Sequence, residues 1–387
     1  MTGSPARRRV GFDARALVFP AGGVKRYARE LFDRLPALAP DLDFVAIDAP
    51  PEIDLPRGTL RGPVAGRLPT NLARGALALP AAISQARLDL FHAPAYTAPL
   101  MGRTPVVVTI HDVSYVRRPE YYAHPAGFVR QWFYRRSATR ATHVVTDSEF
   151  SRQEIAAAYD IPSTRITVAP LGVGAPFSPT APDPAIPLPV GVRIPYVLHV
   201  GDLHARRDLT TALRAVLNLR QRSASQGTSA LQLVCAGEDH GAADALRRAS
   251  AEAGASDLLV LPGRVSEDVL LRLYHQAVAL VYPSLYEGFG LPVLEAMACG
   301  TPVVAARAGS VPEVAGDAGI LVEGGDWSAI ADALTMLSTD EGYRRGRRDR
   351  GLARAAEFSW DRTARQTLDV FRMCLQMTTV PQPTGKP

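Results

Sequence analysis

Short apolar runs rich in β-branched residues alternate with helical patterns through most of the chain, and seven prolines crowd between Pro176 and Pro195. These two features leave few folds open. The run Pro105–Ile110 (PVVVTI) is apolar on both faces, as a strand buried in a parallel sheet must be. Val10–Asp13, Phe44–Ile47 and Val144–Thr146 read as further strands, and Val24, Tyr27, Ala28, Leu31, Phe32 and Leu35 fall at helical spacing. Beyond Pro195 the pattern restarts with strands at Tyr196–Val200, Leu231–Cys235, Leu258–Leu261, Val278–Tyr282 and Pro302–Ala305, each separated from the next by a helical stretch. Strand and helix recur every ~20–30 residues, which predicts an α/β fold of doubly wound parallel sheets. Proline removes backbone donors and favours extended chain, so the proline run reads as a linker. Residues 1–185 and 190–357 are then two domains. A helix over 359–377 follows, with Ser359 as its cap and Leu368, Phe371 and Leu375 on one face. Tandem domains of this type place a ligand cleft between them, at the carboxyl ends of the strands.

Composition narrows the class. The chain has 387 residues, enough for two ordinary domains. Gly and Pro together make 63 of them, below the quarter or so that marks disorder by composition. No stretch approaches the ~18–20 apolar residues of a membrane span, and Asp13 and Arg15 interrupt the basic N-terminus before a signal-peptide core can form. Three distant cysteines suit neither a disulfide framework nor a zinc site. A cytoplasmic protein with reduced thiols is expected. The net charge is +5, and residues 1–190 carry 22 basic and 16 acidic side chains, so the excess lies in the first half. An anionic substrate, an anionic membrane surface or nucleic acid would each account for it.

The segment richest in chemistry is Tyr282–Val314 (YPSLYEGFGLPVLEAMACGTPVVAARAGSVPEV). Gly288 and Gly290 form a loop, Pro292 suits a first helical turn, and Gly300 followed by Pro302 ends the helix. A glycine loop feeding a helix N-terminus is an anion site that fits a diphosphate. Glu287 and Glu295 bracket it, where carboxylates repel phosphate but bind sugar or ribose hydroxyls. A second segment, Val200–Leu209 (VGDLHARRDL), places Gly201 and the guanidiniums of Arg206 and Arg207 after a strand, where they can grip a pyrophosphate. The loop Ala21-Gly22-Gly23 precedes a helix, and His111 ends the PVVVTI strand. Gly127–Arg140 (GFVRQWFYRRSATR) mixes aromatic and arginine residues, which fits either an ordinary amphipathic helix packed on the first sheet or a helix at an anionic bilayer surface. Without a recognised module around that cluster, nucleic acid is not expected as a partner.

Glu287 and Glu295, with the GFGLPVLEAMACGTPVV run between and after them, resemble the signature of the retaining glycosyltransferases of family 4, which have the GT-B fold: two Rossmann-like doubly wound domains facing across a cleft. The resemblance extends from about Phe12 to Trp360, through Thr146–Ser151 and Val168–Val173, and is weakest over 48–90. It implies that Glu287 lies beside the donor sugar, that Phe289, Gly290 and Leu291 offer backbone amides to sugar and diphosphate, and that Glu295 holds the ribose. It implies roles for Arg206 and Arg207 on the leaving diphosphate, with Arg207 where relatives carry lysine. Gly22 and Gly23 close over donor or acceptor, and His111 faces the donor sugar. The terminal helix returns to the first domain. The implied activity is metal-independent transfer from a nucleotide-diphosphate sugar, with no other cofactor, to a glycan or lipid-linked acceptor. The FDAR…GGVKRYARELFDRL run resembles mannosyltransferase-like members and favours GDP-mannose, with a UDP-sugar as the alternative. A GT-B epimerase and a non-catalytic sugar-nucleotide-binding subunit are the rival readings. A Rossmann dehydrogenase is disfavoured, because no Gly-x-Gly-x-x-Gly follows a first strand.

Overall fold

A computed structural model describes residues 7–19, 22–65, 73–122, 127–224 and 230–377. The chain forms two compact units. The first comprises Met1–Arg117, His124–Gly172 and Trp360–Pro387, and the second comprises Arg118–Ala123 and Val173–Ser359. The proline run 176–195 thus belongs to the second unit. Phe177 within it is buried and meets Tyr274 edge-on at 6.0 Å, which ties the segment down.

The first unit is built on seven parallel strands: β1 (Arg8–Asp13), β2 (Leu42–Ile47), β3 (Thr59–Arg61), β4 (Leu90–Ala93), β5 (Val106–Thr109), β6 (His143–Thr146) and β7 (Ile166–Val168). Their spatial order is β3-β2-β1-β4-β5-β6-β7, so the winding reverses between β1 and β4. Helix α1 (Gly22–Leu38) buries the Val24, Tyr27, Ala28, Leu31, Phe32 and Leu35 face, with Phe32 stacked on Phe12 of β1 at 3.5 Å. Each Val, Leu or Phe of that face gives about 1.5–3 kcal/mol by leaving water. Shorter helices α2 (Leu79–Gln85) and α3 (Ser114–Arg117) follow, then α4 (Phe128–Arg140) and α5 (Glu149–Tyr159). Ser148 caps α5 by accepting from Ser151 N.

The second unit has six parallel strands: β8 (Tyr196–Val200), β9 (Gln232–Ala236), β10 (Leu259–Gly263), β11 (Leu280–Tyr282), β12 (Val303–Ala306) and β13 (Ile320–Val322). Their order is β10-β9-β8-β11-β12-β13, with the reversal between β8 and β11. Helices α6 (Leu209–Ala224), α7 (Ala243–Glu252), α8 (Glu267–Gln276), α9 (Leu291–Ala298), α10 (Val311–Ala315), α11 (Trp327–Thr339) and α12 (Glu341–Ala355) join the strands or follow them. Helix α9 ends as the glycine predicts. Gly300 is left-handed at φ 77°, its N–H donates to Met297 O at 3.0 Å, and Thr301 N donates to Ala296 O at 2.8 Å.

The last helix, α13 (Trp360–Met377), is part of the first unit. It buries Trp360, Ala364, Leu368, Phe371 and Leu375. Phe371 packs against His92 of β4, Asp361 accepts from Arg34 Nε at 2.9 Å, and Arg8 Nη1 donates to Leu375 O at 2.7 Å.

Candidate active site

In an open parallel sheet the ligand crevice lies beyond the strand carboxyl ends where the winding reverses. In the second unit that place is beyond β8 and β11, and both sequence segments arrive there. Leu285 N donates to Arg206 O at 2.8 Å, joining the loop after β11 to the loop after β8. The Arg207 guanidinium is buried. It donates to Ser284 Oγ at 3.2 Å, to the Tyr282 hydroxyl and to the Glu287 carboxylate, which is also buried. Burial pulls the Arg207 guanidinium below the ordinary arginine value and Arg206 adds to this, while Tyr282 and Asp202 oppose it. Arg206, next to it, is half-buried. Gly201 has φ 129° and packs under Arg207, whose Nη2 would lie 3.4 Å from a Cβ added there.

Gly290 caps α9 in the left-handed region at φ 95°, and Leu291 and Pro292 begin the helix; Pro292 has no N–H, and Val293 N donates to Gly290 O at 3.0 Å. Phe289 is buried and meets Phe358 edge-on at 6.0 Å. Glu295 lies inside α9, buried, and accepts from the Tyr274 hydroxyl at 2.9 Å. Burial and the Glu295 carboxylate push the Tyr274 phenol well above its ordinary value, so it stays a donor. The sequence reading did not single out Gly309 and Ser310. Ser310 donates from N (3.2 Å) and Oγ (3.1 Å) to Glu287 O, and Gly309 packs so close that a Cβ would fall 2.6 Å from Glu287 N and O.

Gly22, Gly23 and His111 lie in the first unit. The two glycines open α1, and Ala21 lies outside the described residues. Tyr27 of α1 sets its ring edge-on to His111 at 5.0 Å and shares a 2.9 Å hydrogen bond with Thr109 Oγ1. His111 Nδ1 is 2.7 Å from Asp147 Oδ2, and Nε2 is 3.2 Å from Pro94 O.

The reversal between β1 and β4 opens a cavity of about 370 Å³. Its walls include Asp13, Arg15, Phe19, Tyr96, Thr97 and Tyr134. Asp13 and Asp48 share two arginines. Arg15 donates to Asp13 Oδ2 at 2.8 Å, and Arg74 donates to Asp48 Oδ2 at 2.6 Å and to Asp13 Oδ2 at 3.3 Å. Burial disfavours the Asp13 carboxylate, yet Arg15 and Arg74 hold it below the usual range. Tyr96 has φ 46°, a conformation that costs an aromatic residue strain. The sequence signal for this cavity was the Asp13-Ala14-Arg15 end of β1. Its other wall follows β4, which sequence reasoning did not assign.

Among the described residues no cluster of three or more His, Cys, Asp or Glu is arranged to hold a metal. The sequence does contain an Asp-x-Asp triplet, Asp41-Leu42-Asp43, at the start of β2. Its carboxylates are engaged elsewhere, Asp41 with Arg372 at 3.4 Å and Asp43 with Arg7 at 3.7 Å.

Comparison with known proteins agrees with this architecture. Residues 21–175 match the family description "Glycosyltransferase Family 4", and residues 194–340 match "Glycosyl transferases group 1". The O-antigen chain mannosyltransferase B of Escherichia coli is 30% identical over 385 residues, covering 94% of this chain and 99% of that protein. The chain belongs to the family 4, group 1 glycosyltransferases. This glycosyltransferase is also 30% identical to the D-inositol 3-phosphate glycosyltransferase of Salinispora tropica, over 91% of its own length and 81% of the relative's. Its fold is GT-B. It resembles sucrose-phosphate synthase from Thermosynechococcus elongatus with a TM-score of 0.73 at 21% identity, over 96% of this chain and all of that one. Anabaena HepE in complex with UDP and glucose gives 0.72 at 17% identity, over 95% of this glycosyltransferase and all of that chain.

Proposed function

We propose that this glycosyltransferase is a retaining, metal-independent enzyme that moves a sugar from a nucleotide-diphosphate donor to a glycan or lipid-linked acceptor, in assembly of a polysaccharide or glycolipid. The observation that carries the reading is the convergence of Gly201, Arg207, Glu287 and the amino end of α9 beyond β8 and β11. Cleaving a sugar–phosphate bond leaves charge on the diphosphate. Arg206, Arg207 and the α9 amides are fixed positive groups for that charge, in the place a metal would otherwise take. Glu287 sits beside the sugar, held by Arg207 and by Ser310 at its backbone. Phe289, Gly290 and Leu291 carry the amides, and Glu295, oriented by Tyr274, takes the ribose hydroxyls. The acceptor hydroxyl attacks from the face the diphosphate leaves.

GDP-mannose is the favoured donor. The FDAR…GGVKRYARELFDRL run and the mannosyltransferase name of the Escherichia coli relative support it. The same name supports a growing glycan as acceptor. The first-unit cavity suits one of its sugar rings, with Tyr96 and Tyr134 as apolar walls and Asp13 and Arg15 as hydrogen-bonding groups. No described helix is long and apolar enough to cross a membrane. Helix α4 leaves Phe128 (83% exposed), Val129 and Trp132 in solvent beside Arg130, Arg135 and Arg136, which supports peripheral contact with an anionic bilayer.

A panel of nucleotide sugars, with and without EDTA, tests the reading. The expected result is a rise in Tm with one donor class and release of its nucleoside diphosphate, unaffected by chelator, with the anomeric configuration kept in any product. A panel without a single stabilising donor and without release would overturn it.

A further inference from the structure

We propose that Asp147 is the positioning residue of His111, holding that imidazole with a proton on both ring nitrogens, so that it acts as a hydrogen-bond donor and never as a base. The sheet register brings the two together. Thr109 of β5 pairs with Val145 of β6, and His111 and Asp147 each lie two residues further on. Ile110 N donates to Val145 O at 2.9 Å, and Thr146 Oγ1 donates to Ile110 O at 2.7 Å, which locks the two strand ends side by side. Ser151 Oγ fixes the His111 backbone by donating to its carbonyl at 3.0 Å.

Proton counting then decides the state of the ring. Pro94 O can only accept, so the Nε2 that faces it at 3.2 Å carries a proton. Nδ1 faces Asp147 Oδ2 at 2.7 Å, so a second proton lies between them. A contact this short suits a charge-assisted bond from imidazolium to carboxylate. The groups around the ring agree. Burial works against the cation, but the Asp147 carboxylate, then Asp112 and the Pro94 carbonyl, shift His111 upward overall. His92, on β4, is buried and pushed down to about 3, so it adds no competing charge. Tyr27 and Tyr96 present ring edges, and burial keeps the Tyr27 phenol protonated. Burial pushes the Asp147 carboxyl upward, and its Oδ1 has no hydrogen-bond partner among the described residues. Such a carboxylate costs stability unless a cation lies against it, and His111 is that cation. A doubly protonated ring has no lone pair with which to accept a proton. Its Nε2–H can exchange Pro94 O for a ligand oxygen, and the cation strengthens that bond.

The protonation state stands without the proposed function; only its kinetic consequence rests on His111 facing substrate. The test is nitrogen-15 NMR of histidine-labelled protein from pH 6 to 8.5, with the His111 signals assigned by comparison with His111→Gln. Both ring nitrogens of His111 should remain protonated at pH 7.5 in the unsubstituted protein. An unprotonated Nδ1 at that pH, or titration near the ordinary histidine value, would overturn the proposal. In Asp147→Asn the amide can donate to Nδ1, so the ring should become neutral while keeping its Nε2–H, and kcat should fall about tenfold. Unchanged His111 signals in Asp147→Asn would also overturn it. The loss of the second proton with unchanged kcat would uphold the role of Asp147 and count instead against placing His111 at the substrate. Because the first measurement uses the unsubstituted chain, a variant that fails to fold leaves the test intact.

Discussion

The Arg207 guanidinium and the Glu287 carboxylate form a buried ion pair across 80 residues of sequence, and both lie on the rim of the proposed diphosphate site. Each is the other's counter-charge in the absence of ligand. Removing either leaves a charge in a desolvated place, with a cost of ~3–5 kcal/mol. Arg207→Met and Glu287→Leu should each destabilise the second unit by that amount, and Arg207→Met/Glu287→Leu by much less than their sum. Urea unfolding of the three variants decides this. Additive losses would mean that the pair contributes no coupling.

Under the proposed mechanism the same pair also bears on turnover. Charge on the diphosphate grows as the sugar bond breaks, so a cation there stabilises the transition state more than the bound donor. Arg207→Ala should lower kcat by roughly 100-fold or more and weaken donor binding far less. Arg207→Lys should recover much of the rate, because it keeps the charge. Equal losses in binding and in kcat/KM with kcat preserved would reduce Arg207 to a phosphate anchor.

Glu295 and Tyr274 give a matched test of the proposed ribose site. A hydrogen bond to a charged group contributes about 1.5–3 kcal/mol, so Glu295→Ala should weaken binding of both the nucleoside diphosphate and the intact donor roughly tenfold or more. Tyr274→Phe removes only the 2.9 Å bond that orients the carboxylate. It should weaken the same ligands by a smaller factor. Calorimetry that finds unchanged affinity for both in Glu295→Ala removes the ribose assignment.

The parts of the molecule that were legible are those in which local pattern and tertiary role agree. Strand β5 reads as buried because Val106, Val107 and Val108 are apolar on both faces, and α1 reads as a helix because its buried stripe repeats at helical spacing. The loop into α9 was legible because glycine and proline are needed there by backbone geometry. Strand β4 was hidden: its sequence, Leu-Phe-His-Ala, is four residues long and carries a histidine, which the core holds with Nε2 2.9 Å from Thr109 Oγ1. With β4 unassigned, the cavity wall at Pro94–Thr97 could not be placed. Long-range pairs such as His111–Asp147 and Arg207–Glu287 depend on strand register, which a single sequence does not display.

Gly309 has no tolerance for a side chain. It sits at φ 59°, and an added Cβ would meet Glu287 N and O at 2.6 Å, both backbone atoms that cannot turn aside. Gly309→Ala should therefore push the Glu287 loop away from Arg207. The expected outcome is a destabilisation of ~1–3 kcal/mol with a loss of turnover larger than that of an equally destabilising change elsewhere. Alanine at Gly346, where a Cβ meets no atom within 4 Å, is the control and should leave activity unchanged. Equal activity in the two variants would show that Glu287 does not depend on this contact.

Two buried histidines bear on how the units respond to mild acid. His92 in the first unit and His199 in the second are both held neutral, down to about 3, chiefly by burial. His111 lowers His92 further, and Arg207 lowers His199. In the unfolded chain each takes a proton near its ordinary value of 6.5, so the unfolded state binds more protons below that pH and stability falls as pH falls. At pH 5.5 each contributes a loss on the order of 1 kcal/mol relative to neutral pH. The window runs from about 6.5 down to about 3. In the first unit His111, shifted upward, gains stability as pH falls from neutral toward 6.5 and opposes the His92 loss, so the second unit gives the cleaner test. His199 shares a 3.2 Å hydrogen bond through Nδ1 with Val281 O, a role that an asparagine amide can fill without titrating. Urea unfolding of the second unit at pH 7.5 and 5.5 should show the acid loss in the unsubstituted protein and a reduction of it on the order of 1 kcal/mol in His199→Asn. If His199→Asn keeps the full loss, His199 is not neutral in the folded state and its burial does not set the acid limit.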